Sequence, residues 1–382
     1  MKNISFKKAI VQIHLWLGLT SGLVVFVLGI TGCIYVFEDE LKSFFYKDRM
    51  YVDVPQGSSR KTLSELLLIA QKTFGKKHPI QQIEIPAGAD RSYLFKSTSK
   101  GNPDALTYFG EQKYYHVLYI NPYTGEVIKD ENTKYEFFQI VLRLHRNLLL
   151  NKEIGHYVVG ISVLIFVVLL ITGIILWWPK NMAALKQRLL FKWKSTTQLK
   201  RKNYDLHNIL GFYSFFFALL IALTGLTWSF DWFDDGVQWL ANGGKSKKTK
   251  TVISEKTKSS ATSFPIDLVF YNVSQQNPNT EFFSISFPKD KKSTLNVSVY
   301  ANEQLNYNKK QFQYDQYSAK LLKTGDFENK NSGEKLRSMN YDIHVGRILH
   351  LPGKILTFLI SLIISSLPVT GFIIWWKRKS KR

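Results

Sequence analysis

Cysteine is nearly absent: the 382 residues contain one, Cys33. A single thiol excludes an internal disulfide, a cysteine-ligated iron–sulfur cluster and a zinc ribbon. No G-x-G-x-x-G follows a strand-like run and no P-loop occurs, so the chain carries no nucleotide or flavin site of its own. Acidic residues are scarce as well. Asp and Glu number 29 against 51 Lys and Arg, a formal net charge of +22. The longest apolar stretches hold no carboxylate, which argues against a small-solute permease.

Apolar length is what the chain has in abundance. Ile10–Phe37, Ile154–Trp178, Asn208–Phe230 and Ile355–Trp376 are each long enough for a bilayer, which takes about 20 apolar residues. The first is too long for a secretory h-region and lacks a small-residue cleavage site, so a retained anchor is expected. Lys2, Lys7 and Lys8 precede it. Lys180, Lys186, Arg188, Lys192, Lys194, Lys200, Arg201 and Lys202 fill the loop after the second, and five basic residues follow the fourth. Basic residues in short loops mark the cytoplasmic side. Both termini and the middle loop are therefore expected there, with two long segments facing outward. In a membrane protein the basic surplus points to anionic lipid and anionic solutes rather than to nucleic acid.

The chain repeats itself. His14-Leu15-Trp16-Leu17-Gly18 precedes Thr31-Gly32, and His207-Asn208-Ile209-Leu210-Gly211 precedes Thr224-Gly225, with a histidine-to-threonine spacing of seventeen in both. Ile171–Trp178 likewise matches Val369–Trp376, each carrying T-G-x-x-x-W-W. That offset puts Gly155 on Gly353 and His145 one position from His344. The expected organisation is a span–domain–span unit used twice. Its parts are a first span (1–38), an external domain (39–135), an interfacial helix and second span (136–180), a basic loop (181–206), a third span (207–231), a linker with a second external domain (232–342), and a fourth span with a basic tail (343–382).

Each external segment reads as small α+β. The first offers a helix at Thr62–Thr73 and strands at Ile80–Ile85, Ser92–Ser97 and Lys113–Ile120, with a turn at Asn121-Pro122-Tyr123-Thr124-Gly125. The second offers a helix at Ile266–Gln275, strands at Phe282–Phe287 and Leu295–Tyr300, and a hairpin around Tyr314–Leu322. Gly243–Ser263, rich in Lys, Ser, Thr and Gly, reads as a linker.

With its Tyr119–Val127 hairpin (Y-I-N-P-Y-T-G-E-V) and its ordered H-x-x-x-G, L-H-R, H-x-G and T-G-x-x-x-W-W elements, the chain resembles the PepSY-associated transmembrane family over essentially its whole length. The resemblance implies an α-helical integral membrane protein of four spans with two PepSY-like external domains. Within that family, the form without a fused reductase module resembles the di-haem inner-membrane ferric-siderophore reductases. It implies a bacterial inner membrane, external domains in the periplasm, an unidentified cytoplasmic electron donor and a ferric chelate as acceptor. The rival expectation is a non-enzymatic PepSY binding or regulatory module, anchored in the membrane or paired with a transporter.

The histidines carry the chemistry. An unpaired imidazole in a bilayer finds no water, so it needs a partner. His14 with His207, and His145 with His344, are expected as axial ligand pairs for two haems b, one per leaflet. Zinc and copper fit less well, because no carboxylate or cysteine joins the histidines at ligand spacing. His156 and His350 are the rival outer ligands, although neither has a histidine at the matching repeat position. Gly18 and Gly211, one turn beyond their histidines, either admit a flat ring or pack helices closely. The Thr-Gly pairs sit in the leaflet opposite the histidine of their own helix, so each is expected to line the other haem or none. Arg143 and Arg146 are candidates for haem propionates, and Arg347 reads as an interfacial anchor. His78 and His116, in the first external segment, read as exposed or internally satisfied side chains, with substrate contact as the alternative.

Overall fold

The computed structural model describes residues 6–245, 252–254, 266–303 and 305–379. Lys2, Lys381, Arg382 and most of the Gly243–Ser263 stretch lie outside them. The chain divides into two compact units, one of Met1–Glu38, Ile140–Gly236 and Ile343–Arg382, the other of Asp39–Gln139 and Val237–Asp342.

The first unit is a bundle of four helices long and apolar enough to cross a membrane: Phe6–Val36, Lys152–Trp177, Leu199–Ser229 and Arg347–Lys377. They are apolar all round, the pattern of a span rather than of a surface helix. Inside the bundle pack Val25, Phe166, Leu170, Ala218, Ala222, Ile360 and Ile364. Outside, Leu23, Ile161, Phe216 and Leu359 stand exposed, a surface that suits lipid and not water.

Two shorter helices lead into the second and fourth spans. Phe137–Asn147 ends in a reversal at Leu148 and Leu149, both at positive φ (56° and 57°), before Asn151 caps the next helix through Ile154 N. Ser332–His344 ends likewise at Gly346, with φ of 78°. The interfacial helix and the second span are thus separate elements, Phe137–Asn147 and Lys152–Trp177. A Cβ at Gly155 would fall on the Asn147 carbonyl, and one at Gly353 on the Gly346 carbonyl. Those glycines let each span start hard against the stretch of chain just before it.

The second unit is built on one antiparallel sheet. Its strands are β1 (Gln82–Pro86), β2 (Tyr93–Lys100), β3 (Gln112–Ile120), β4 (Val127–Asn132), β5 (Phe282–Ser286), β6 (Leu295–Tyr300), β7 (Lys309–Tyr314) and β8 (Leu321–Gly325), in the order β4-β3-β2-β1-β5-β6-β7-β8. The two α+β halves expected from the sequence join through β1 and β5, with Ile83 opposite Ile285. Helices Leu63–Phe74 and Ile266–Gln276 contribute to one apolar core with Ile83, Ile85, Phe95, Leu118, Ile285 and Val297. The first begins in a capping box of Thr62 and Glu65.

On β1 and β2, Glu84 bonds Lys96, and the neighbouring Gln82 donates to Ser284 Oγ across the join at 2.8 Å. Glu84→Gln leaves the Lys96 ammonium without its carboxylate. A charge-assisted bond of this kind contributes about 2 kcal/mol, so the variant should lower the unfolding midpoint of the full-length protein. An unchanged melting curve counts against a structural role for the pair.

Candidate functional site

The four expected ligand histidines meet in two pairs. The His14 and His207 rings lie 6.4 Å apart between centroids and are inclined at 87°. The His145 and His344 rings lie 6.2 Å apart at 70°. Along the first span, His14 and the Thr31 that meets His145 are seventeen residues apart. At helical rise that separates the two levels by about 25 Å.

Each ring is held in the same way. His14 Nδ1 meets Thr172 Oγ1 at 2.8 Å, and His207 Nδ1 meets Thr370 Oγ1 at 2.9 Å. His145 Nδ1 meets Thr31 Oγ1 at 2.9 Å, and His344 Nδ1 meets Thr224 Oγ1 at 2.9 Å. Every one of these threonines also donates to a carbonyl four residues earlier in its own helix: Val168, Ser366, Val27 or Leu220. A hydroxyl has one proton. Since that proton goes to the carbonyl, the threonine oxygen accepts, and Nδ1 of the histidine donates. The ring is then the Nδ1–H tautomer, with its lone pair on Nε2, the form a metal ligand requires.

The glycine beside each threonine makes room for the ring. A Cβ built on Gly173, Gly371, Gly32 or Gly225 would lie 3.5, 3.3, 3.5 or 3.5 Å from Cε1 of His14, His207, His145 or His344. The Thr-Gly pairs thus serve the histidine at their own level. That level is the one opposite the histidine of their own helix, as the repeat spacing leads one to expect: Thr31, on the helix of His14, meets His145. His207 itself sits in a π-helical turn, Leu206–Leu210, a local widening found often at functional sites.

A cavity of about 750 Å³ opens around the first pair and is lined by His14, Gly18, Gly22, Gly173, His207, Gly211 and Gly371. That volume is in the range of small-molecule and cofactor pockets. Built Cβ atoms at Gly18 and Gly211 meet nothing closer than Leu169 at 3.9 Å and Leu367 at 3.7 Å. They face the cavity and are not helix-packing contacts, unlike Gly29, whose Cβ would fall 2.7 Å from Ser365 Cβ. Lys7 and Arg188 also line the cavity, as does Trp177, whose ring stacks on Phe212 at 3.7 Å. Trp177 is buried, and its Nε1 has no hydrogen-bond partner among the described residues.

The remaining candidates divide. His156 gives its Nδ1 to the Lys152 carbonyl at 2.8 Å and lies beside Tyr157, while His350 is exposed. Among the described residues neither makes a ring contact with His145 or His344. Arg143 is half-buried and Arg146 exposed, both one turn or less from His145. Arg347 is buried, which does not suit a simple headgroup anchor. Two side chains were not foreseen. Trp228 places its ring 5.0 Å from that of His344. Lys354, 1% exposed within the fourth span, sits 5.5 Å over Phe37. A lysine buried in a span is itself a functional signal, and it was legible at the position matching His156.

The bundle defines a four-span membrane protein with two histidine levels between its helices. A family profile, that of the PepSY-associated TM region, matches residues 11–378. The chain belongs to this family. Comparison with curated proteins finds no match.

Proposed function

We propose that this protein carries electrons across the bacterial inner membrane through two haems b, one at each histidine level, and delivers them to a ferric chelate on the periplasmic side. The observation that carries the proposal is the fourfold threonine bond to histidine Nδ1. It leaves the lone pair of each ring on Nε2, in histidines that lie in couples. Two metal–imidazole bonds of about 2.0 Å, extended to the two ring centres, span roughly 6 Å, close to the separations of 6.4 and 6.2 Å. Two imidazoles holding one iron would not need to be coplanar, so inclinations of 87° and 70° fit as well.

The donor set favours a porphyrin over a bare ion. Among the described residues, no three His, Cys, Asp or Glu side chains converge. Two imidazoles leave a zinc shell half filled, and inside an apolar bundle there is no bulk water to complete it, whereas a porphyrin would bring its own nitrogens. The first cavity supplies the rest of a haem pocket. Glycines admit the ring, Lys7 and Arg188 balance carboxylates, and the unpartnered Trp177 indole N–H is a donor for one of them. Arg143 and Arg146 are the corresponding cations beside His145.

Bound at both levels, haem supplies reversible one-electron chemistry. The chain does the rest without an acid or base. The threonines fix the ligand tautomers, and the apolar helices keep water out and set the potentials. The basic 181–206 loop, read as cytoplasmic, offers cations to a donor, and the sheet unit, read as periplasmic, faces the acceptor. Ferric iron accepts one electron, and the ferrous product is a poorer fit for hard oxygen donors, so reduction releases the metal from its chelator.

The test is haem stoichiometry on protein purified from haem-replete cells. Two haems per chain and reoxidation of the reduced protein by a ferric chelate are expected. A colourless preparation overturns the proposal and leaves the binding-module reading.

A further inference from the structure

A second set of histidines lies in the sheet unit. His78 follows helix Leu63–Phe74 at its C-terminal turn, and His116 stands on β3. Their rings are 4.9 Å apart between centroids and tilted by 39°. His78 Nδ1 meets the Phe74 carbonyl at 3.2 Å. A carbonyl only accepts, so Nδ1 carries the proton. His116 Nδ1 meets Asp130 Oδ1 on β4 at 3.0 Å, and a carboxylate likewise accepts. Both rings are therefore fixed as the Nδ1–H tautomer, and both keep their lone pair on Nε2.

Aromatic packing alone explains two adjacent rings, since Tyr114 and Phe74 also touch them. It does not explain why each has its far nitrogen tied to an acceptor. That is how proteins orient histidines that bind metals, with a carboxylate or a backbone carbonyl behind the ligand. We propose that His78 and His116 form a two-imidazole site for a divalent transition-metal ion of borderline softness, such as copper or zinc, with Asp130 orienting His116. Imidazole pairs suit these ions.

The spacing agrees. Metal-to-ring-centre arms of roughly 3.2 Å, joined across 4.9 Å, enclose an angle of roughly 100°. This lies between the square-planar and tetrahedral ligand angles. No third His, Cys, Asp or Glu converges here among the described residues, so the remaining positions belong to water or to donor atoms of an incoming chelator. The site is within reach of solvent, with side-chain exposures of 22% for His116 and 46% for Asp130. It does not depend on the haem reading, because it uses neither histidine level of the helices.

The experiment is a Cu²⁺ titration of the full-length protein in detergent, followed by calorimetry and by electron paramagnetic resonance. One Cu²⁺ per chain with hyperfine structure from two nitrogens is expected. His78→Asn/His116→Asn should abolish that signal, and Asp130→Asn should weaken binding about 10- to 100-fold. His156→Ala/His350→Ala should leave it intact. Circular dichroism and the thermal unfolding midpoint report that each variant is folded. Absence of the two-nitrogen signal in the unaltered protein, or its survival in the folded double variant, overturns the proposal.

Discussion

His207→Ala should lower haem content from two per chain to one, and His344→Ala should do the same by emptying the other level. Each pair draws one ring from either half of the chain, so under the proposed function loss of one imidazole would leave a haem iron with one protein ligand. Removing a group that merely orients a ligand costs about 10- to 100-fold in metal affinity. Removing the ligand itself should cost more. The cavity around His14 and His207, about 750 Å³, would still attract an apolar ring, so the lost haem is read after detergent washing. The pyridine haemochrome assay gives the number, and the low-spin electron paramagnetic resonance signals give the ligation. His207→Gly with added imidazole should recover part of the low-spin signal, since glycine leaves room for the free base. A His207→Ala protein that keeps two low-spin haems would mean that the pairing of these rings is coincidental, and that other side chains hold the iron.

Much of this site was legible before any coordinates. Histidines, Thr-Gly pairs and double tryptophans recur at fixed spacing, and a repeated polar residue in an apolar span needs a repeated reason. The set of four and its pairing follow from that. The partner of each ring did not. Whether Thr172 faces His14 depends on the register between the first and second spans, which side-chain packing sets and no local pattern encodes. Depth along its own helix places Thr31 at the outer level, but not which ring it meets, since His145 arrives on another helix. The sheet shows the same limit. β6 was visible as alternating Leu295–Tyr300, but the β1–β5 join pairs residues some two hundred positions apart. β7, Lys309–Tyr314, escaped because its Lys-Lys-Gln-Phe-Gln-Tyr sequence has little apolar alternation.

The threonines allow a sharper test than the ligands, because they touch the ring and not the iron. Thr370→Val keeps shape and volume and deletes the acceptor of His207 Nδ1, 2.9 Å away. The ring is then free to take the other tautomer or to rotate, and retention of that haem should fall about 10- to 100-fold. In the fraction that stays bound, the imidazole donates less charge to the iron. The oxidised state loses more than the reduced one, so the midpoint potential should rise, on the order of tens of millivolts, where 59 mV is a tenfold change for one electron. Thr370→Ser preserves an acceptor and should behave like the parent. Gly371→Leu acts by volume instead. A Cβ there already lies 3.3 Å from His207 Cε1, and the added atoms occupy the ring's own space, so this variant should lose the haem as His207→Ala does. If Thr370→Val and Thr370→Ser match the parent in both haem retention and potential, the threonine bond plays no part in ligation, and the tautomer argument for all four histidines loses its footing.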